Sequence, residues 1–337
     1  MFGQSLLSGA FGSAFDPTEN FNTVLYTGDD TAGHAITTGF KPDLVWIKSR
    51  TNAASNSVYD SIRGADQWMT TNGTNADTSA PYSLTSFDAN GFTLGDDSGQ
   101  WGVNESPYNY VSWSWKAGGA AVSNTDGSTT SQVSANTAAG FSIIEYTGAG
   151  VLNPGHGLGA APDLIIVKGT SAVEDWLVYN SINGTGGYLS FTRNDDGSGA
   201  GYDPWQSNVN QFSAVTSTTF TTSITGSSLT YIAYCFRSIA GYSKIGSYAG
   251  SGISTPVTFG GGETWTPSLL IVKSYDGTNS AWLIIDSVRG ADEQLYANLT
   301  SVEYSSSGWS FQSGGFTPRG AGNWDNSGTN YLYCAWA

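Results

Sequence analysis

The sequence predicts an all-β protein made of three tandem antiparallel β-sandwich domains, of jelly-roll or concanavalin-like type. Three observations predict it. Four landmarks recur three times in the same order, and a fifth, SFDANGFTLG, marks the first copy. Each landmark is a short run of strand chemistry. The runs are divided by turns rich in Gly, Ser, Thr and Asn, with 44 Gly among 337 residues. The aromatic share of 13% lets each small domain bury much area without a Leu-rich composition.

The first copy opens with YTG at Tyr26 to Gly28 and continues with GFKPDLVWIK, Gly39 to Lys48. VYDSIRGAD (Val58 to Asp66), SFDANGFTLG (Ser86 to Gly95) and NYVSWSW (Asn109 to Trp115) follow. The second copy repeats the order with YTG at Tyr146, GAAPDLIIVK ending at Lys168, WLVYNSING and TYIAYCF ending at Phe236. The third gives YAG at Tyr248, TWTPSLLIVK ending at Lys273, LIIDSVRGAD and NYLYCAW ending at Trp336. Lys48, Lys168 and Lys273 stand 120 and 105 residues apart, a period large enough for a sandwich per copy rather than a solenoid rung. The expected divisions are an N-terminal arm at 1–20, copies at 21–118, 140–241 and 242–337, and a small-residue linker or peripheral strand pair at 119–139. The long spacer between copies one and two predicts a looser contact there than between copies two and three.

Each apolar run after Pro42, Pro162 or Pro267 starts where a strand needs no ladder donor. Apolar residues at consecutive positions predict a strand covered on both faces. The Lys ending each run is expected to lay its stem on apolar surface and reach water with its ammonium, the alternative being a loop carboxylate as partner. The closing strand alternates: Val111, Trp113 and Trp115 share a face, matched by Ile232, Tyr234 and Phe236 and by Leu332, Cys334 and Trp336. Cys334 therefore faces a core and Cys235 the opposite side, which makes a disulfide between them improbable. In DSIRGAD and DSVRGAD, Arg63 and Arg289 are expected to bond neighbouring carboxylates or carbonyls. The second copy reads NSINGTG and lacks those charges.

Twelve Lys and Arg against 27 Asp and Glu give a net charge of −15, which excludes nucleic acid as a favoured partner. No run approaches the roughly 20 apolar residues of a membrane span, and the start of the chain is a poor secretory signal. His34 and His156 read as turn residues, and both Cys lie in strands expected to be buried. No phosphate loop, zinc spacing or nucleophile–His pairing is present, so no enzyme, cofactor or metal site is expected. Acidic loops at Asp96 and Asp97, and around Asp195, Asp196 and Asp203, have oxygen ligands for calcium but no full calcium-loop pattern, and read as solvated turns. Trp101, Trp205, Trp309 and Trp324 stand near turns and are the candidates for stacking on sugar rings, against a role as caps of the sandwich ends.

The order YTG, PDLVWIK, DSIRG, SFDANGFTLG and NYVSWSWKAGG resembles a repeat domain of marine bacteriophage structural proteins, especially those of cyanophages. The resemblance covers about residues 21 to 337. It implies a lectin-like β-sandwich in a virion component, located in the virion and partnered with capsid or tail proteins. The function expected from it is a non-enzymatic structural protein, either a capsid decoration or a tail-fibre or appendage subunit. The alternative is a carbohydrate-binding module that recognises host surface glycans. The arm, with Phe2, Leu6, Leu7, Phe11 and Phe15 as spaced apolar anchors, cannot bury itself and is expected to be an assembly element of a homo-oligomer. A trimer around the arm is the economical arrangement.

Overall fold

The computed structural model describes residues 15–192, 205–207, 211–276, 280–320 and 324–337. Phe2, Leu6, Leu7 and Phe11 of the arm, and Asp195, Asp196 and Asp203, lie outside the described residues. The fold is all-β with antiparallel sheets, and among the described residues the one helical element is a 3-10 turn at Pro17–Glu19.

The first copy contributes β1 (Phe21–Thr27), β2 (His34–Thr37), β3 (Leu44–Ser49), β4 (Ser57–Asp60), β5 (Gly64–Thr70), β6 (Thr78–Ser79), β7 (Leu84–Asp88), β8 (Gly91–Leu94) and β9 (Asn109–Trp115). The stretch before the second copy supplies β10 (Val122–Asn124) and β11 (Ser131–Asn136). The second copy adds β12 (Phe141–Leu152), β13 (Leu164–Gly169), β14 (Leu177–Asn180), β15 (Gly187–Ser190), β16 (Gln206–Ser207), β17 (Phe212–Val215) and β18 (Phe220–Phe236). The third has β19 (Ser243–Ala249), β20 (Val257–Thr258), β21 (Leu269–Ser274), β22 (Leu283–Asp286), β23 (Gly290–Tyr296), β24 (Tyr304–Ser305), β25 (Ser310–Gln312), β26 (Gly315–Thr317) and β27 (Asn330–Trp336).

The large sheets run β1-β9-β3-β4-β5-β6 and β19-β27-β21-β22-β23-β24, and the second copy repeats this order as β12-β18-β13-β14-β15-β16. The first and third copies each add a three-stranded sheet, β2-β8-β7 and β20-β26-β25. The second copy differs. Its β12 and β18 are long, pair past an irregularity between Gly148 and Gly150, and take β17 as a neighbour, while β11 and β10 extend the sheet edge. This is where the sequence lacked a counterpart of SFDANGF. In the first copy that segment forms the β7–β8 hairpin, and its Gly91 is needed because a Cβ there would lie 1.9 Å from the Ile36 carbonyl oxygen.

The double-sided burial of the post-Pro strands now has a cause. Val45 and Ile47 face a core private to the first copy, while Leu44 and Trp46 face a second core. Leu164 and Ile166 of β13, and Leu269 and Ile271 of β21, enter that same second core. The closing strands supply Val111, Trp113 and Trp115, then Ile232, Tyr234 and Phe236, then Leu332, Cys334 and Trp336, so their alternation is as read from the sequence. The rings of Trp115, Phe236 and Trp336 hold equivalent places in the three copies. Their centroids form a triangle with sides of 6.0, 5.5 and 5.4 Å.

The largest core is thus shared by all three copies around a pseudo-threefold axis, and the copies are not strung out as units with only private cores. An apolar face as wide as Trp46, Trp113 and Trp115 must be covered, and the matching faces of the other copies cover it. The expected contrast between a close two–three contact and a loose one–two contact gives way to three seams of one kind. Asn56 Nδ2 donates to the Tyr296 carbonyl at 3.1 Å, Trp176 Nε1 to Thr70 at 2.9 Å and Trp282 Nε1 to Ser190 at 2.8 Å. These are one bond in three versions, joining copies one to three, two to one and three to two.

The arm is shorter than expected. Asn20 is buried, its carbonyl accepts from Lys116 N–H and its Oδ1 from Asn136 Nδ2, so it belongs to the folded body. Phe15 is 38% exposed and sets its ring edge-on to Tyr242 at 5.0 Å.

Candidate functional site

The D-S-x-R-G turns lie in the seams. Asp60 ends β4, and its Oδ1 accepts from the backbone N–H of Ile62 (3.1 Å) and Arg63 (2.9 Å), which closes the turn. Oδ2 accepts from Arg63 Nε at 2.5 Å and from Tyr234 Oη of copy two at 2.8 Å. Asp286 repeats the arrangement with Val288, Arg289 and, from copy one, Trp113 Nε1 at 3.1 Å. The Arg289 guanidinium also lies over the Trp113 ring, 5.5 Å from its centroid. Trp113, Tyr234 and Cys334 hold one position, opposite Trp46, Ile166 and Ile271 in register. Asn180 holds the place of the two aspartates, and its Nδ2 is buried without a partner. The second copy therefore has neither the acid nor the Arg, and the copy-three residue at the place of the donors Trp113 and Tyr234, Cys334, is not a strong donor. The substitutions match across the seam.

Two of the three strand-end lysines, Lys48 and Lys168, are also seam residues, and the three ammonium groups do not reach water as expected. Lys48, Lys168 and Lys273 are fully buried. Lys48 Nζ donates to the Ala54 carbonyl at 2.7 Å and across the seam to Thr300 at 3.1 Å. Lys168 Nζ donates to Gly169 at 2.7 Å and across to Thr74 at 3.0 Å, and Lys273 Nζ donates to Ser280 at 2.9 Å. Buried turn carbonyls need donors, and an ammonium can serve two at once. Burial pulls Lys48 and Lys168 down to about 8.

The seam between copies three and one carries more charge than the others. Arg50 grips Glu303 through Nε (2.9 Å) and Nη2 (2.6 Å), and Arg289 Nη1 reaches Glu303 Oε2 at 3.1 Å. Burial alone would raise the Glu303 carboxyl, but the two guanidiniums hold it below its ordinary value. The counterpart pair in the seam between copies one and two is Asp77 and Thr170, which keep only the backbone bond, Asp77 N–H to Thr170 carbonyl at 2.9 Å. Burial raises the Asp77 carboxyl.

The four tryptophans proposed for stacking separate. Trp309 and Trp324 are each 5% exposed and pack in the third copy's private core, which removes them from contact with a solution ligand. Trp205 is half-buried against the shared core. Trp101 is partly exposed and lines a polar groove of about 360 Å³ with Asn52, Ser55, Trp68, Gln100 and Glu105. Its ring meets Trp68 edge-on at 5.0 Å. Trp68 was missed because its strand, GADQWMT, looks like any other half-buried run.

Asp97, one of the acids weighed for calcium, organises this loop. It is buried, and its carboxylate accepts from the N–H groups of Trp101 (2.8 Å), Val103 (2.9 Å) and Asn104 (3.0 Å). Asp96 Oδ1 accepts from Ser98 N–H at 3.1 Å, closing a local turn. The two histidines also serve locally. His34 Nδ1 lies 2.7 Å from Asn104 Oδ1, while His156 is buried, donates Nε2–H to the Thr216 carbonyl at 3.2 Å and accepts Leu158 N–H at Nδ1. Cys235 and Cys334 are both buried and free, in the private core of copy two and the shared core respectively.

No curated protein matches the chain. A family model does, and it spans residues 16–337, so one family unit takes in all three copies and starts where the folded body starts. The chain belongs to the family described as a domain of unknown function, DUF7483.

Proposed function

We propose that the chain is a non-enzymatic structural component of a phage-type virion, a capsid decoration or a tail-fibre or appendage subunit. The observation that carries the reading is where the repeated motif residues go. Asp60, Asp286, Arg289, Lys48 and Lys168, charged groups of the recurring motifs, all reach across to a neighbouring copy, and Arg63 braces Asp60. Repetition of chemistry for cohesion is what a display body needs, and a catalytic constellation would not be copied around a ring. The sequence resemblance to phage structural repeats supports the same reading. Each copy is then a small lectin-like sandwich, its large sheet backed outward by its own small sheet or loops and inward by its neighbours.

In this reading the body stands on capsid or tail proteins, and the residues before Phe15 are the assembly element through which copies of the chain associate, a trimer being the economical number. The test is purification of intact particles, followed by quantitative mass spectrometry and antibody labelling. The chain should be found at fixed stoichiometry at one site on the particle, and a version lacking residues 1–14 should melt unchanged yet fail to incorporate. Recovery of the full-length chain only in the soluble fraction, never on particles, would sink the reading.

A further inference from the structure

We propose that the groove at Asn52, Trp68, Gln100, Trp101 and Glu105 is a binding site for a neutral saccharide, one site per chain. This inference stands apart from the particle reading and does not depend on it.

Two aromatic rings in the groove have their polar atoms turned away from it. Trp68 Nε1 donates to Ser57 Oγ at 2.9 Å. Trp101 Nε1 is buried and sits against Gly99, where a Cβ would lie 2.0 Å from it. The indole surface left to the groove is therefore hydrocarbon. Around it stand the amide and carboxyl groups of Asn52, Gln100 and Glu105 and the Ser55 hydroxyl. A pyranose has the complementary division: a face of C–H groups for the negative face of a π-system, and an edge of hydroxyls that both donate and accept. Convergent polar groups beside a small apolar platform are the usual composition of a small-ligand site.

The platform is also fixed in advance. Asp97 ties down the backbone of Trp101, Val103 and Asn104, and Ser57 Oγ donates to the Trp101 carbonyl at 3.3 Å. Gln100 holds φ of 57°, a conformation that a non-Gly residue keeps only when its surroundings impose it. Little ordering is then left for the moment of binding. A phosphate-bearing ligand is disfavoured by the net charge of −15. The counterparts of Trp68 in register are Tyr188 and Gln294, 1% and 2% exposed, so copies two and three do not repeat the platform.

The experiment titrates laminari-, manno-, galacto- and chitohexaose into the full chain and follows indole N–H resonances and heat of binding. At least one hexaose should bind saturably at one per chain. Trp101→Ala should weaken it at least tenfold. Gln100→Ala, on the exposed rim, should weaken it about threefold with an unchanged melting curve, which keeps the test valid if Trp101→Ala unfolds. Three results would overturn the site: no resonance moved by any hexaose at millimolar concentration, binding unaltered in Gln100→Ala and Trp101→Ala, or preference for a trimethyllysine peptide over every sugar. The last would assign the two rings and Glu105 to a cation instead.

Discussion

The seam between copies three and one and the seam between copies two and three do the same job with different chemistry. Both are closed by an equivalent cross-seam side-chain-to-carbonyl bond, from Asn56 in one and Trp282 in the other. Behind that bond the first has Asp286, Arg289, Glu303, Arg50 and the Trp113 donor, all interlinked. The second has Asn180 and Asn183 at the places of Asp286 and Arg289, with Asn180 Oδ1 accepting from its own turn, at Asn183 N–H. A buried ion pair is a weak source of net stability but is costly to break, because either partner alone is an uncompensated buried charge. The difference teaches that the apolar core common to the three copies holds the ring, while the polar chemistry behind it varies from seam to seam.

The largest effect is expected from removing one half of such a pair. Asp286→Ala leaves the Nε of Arg289, whose side chain is 0% exposed, and the Trp113 N–H without an acceptor, and should lower unfolding free energy by about 3–5 kcal/mol. Asp60→Ala should behave alike at its own seam. Urea midpoints measure both, and a loss under about 1 kcal/mol in either would show that the paired groups do not depend on each other. The next test grafts the charged chemistry onto the quiet seam. Asn180→Asp alone places a lone carboxylate in the interior and should cost about 3 kcal/mol, whereas adding Asn183→Arg and Cys334→Tyr should restore most of it. Additive losses across the three changes would mean that the matched substitutions are coincidental.

A smaller contrast separates Glu303 from Asp77. Glu303→Gln breaks contacts to two guanidiniums and should cost about 1–3 kcal/mol by chemical denaturation. Asp77→Asn, at the counterpart with a carboxyl already raised by burial, should be within about 0.5 kcal/mol of neutral. The smallest effect is an acid limb belonging to the second copy. Burial lowers His156, so the folded state resists the proton that the unfolded chain takes up near pH 6.5. The unfolded state then binds more protons, and stability should fall as pH drops through that value. Melting between pH 7.5 and 5 should show it, and His156→Gln should flatten the slope.

Much of this fold was legible because it is written locally. The Pro-led runs, the alternation of Val111, Trp113 and Trp115, and the opposite facing of Cys235 and Cys334 follow from the period of a strand. What was not legible is what lies across a face. Continuous apolarity in DLVWIK says that both sides of β3 are covered, and nothing in it says that a neighbouring copy covers one of them. Lys48 was misread for the same reason, since its cross-seam acceptor, Thr300, is 252 residues away. Trp309 and Trp324 were misjudged because a turn-flanked Trp looks alike whether it caps a surface or fills a private core. Trp101 was found and its partner Trp68 was not, since only the fold brings the two rings together.

Ring closure has a consequence for how the chain is made. The first copy leaves synthesis with Trp46, Trp113 and Trp115 uncovered, and their covers from the third copy lie some two hundred residues downstream. Until then the nascent protein presents a flat aromatic face, the kind of surface that draws chains into aggregates. Contacts of such sequence separation form late and slowly. The seam between copies three and one can close only when the third copy has been made, and a guanidinium of the first copy reaches across it. Arg50 acts there as a latch, catching Glu303 once the final copy arrives.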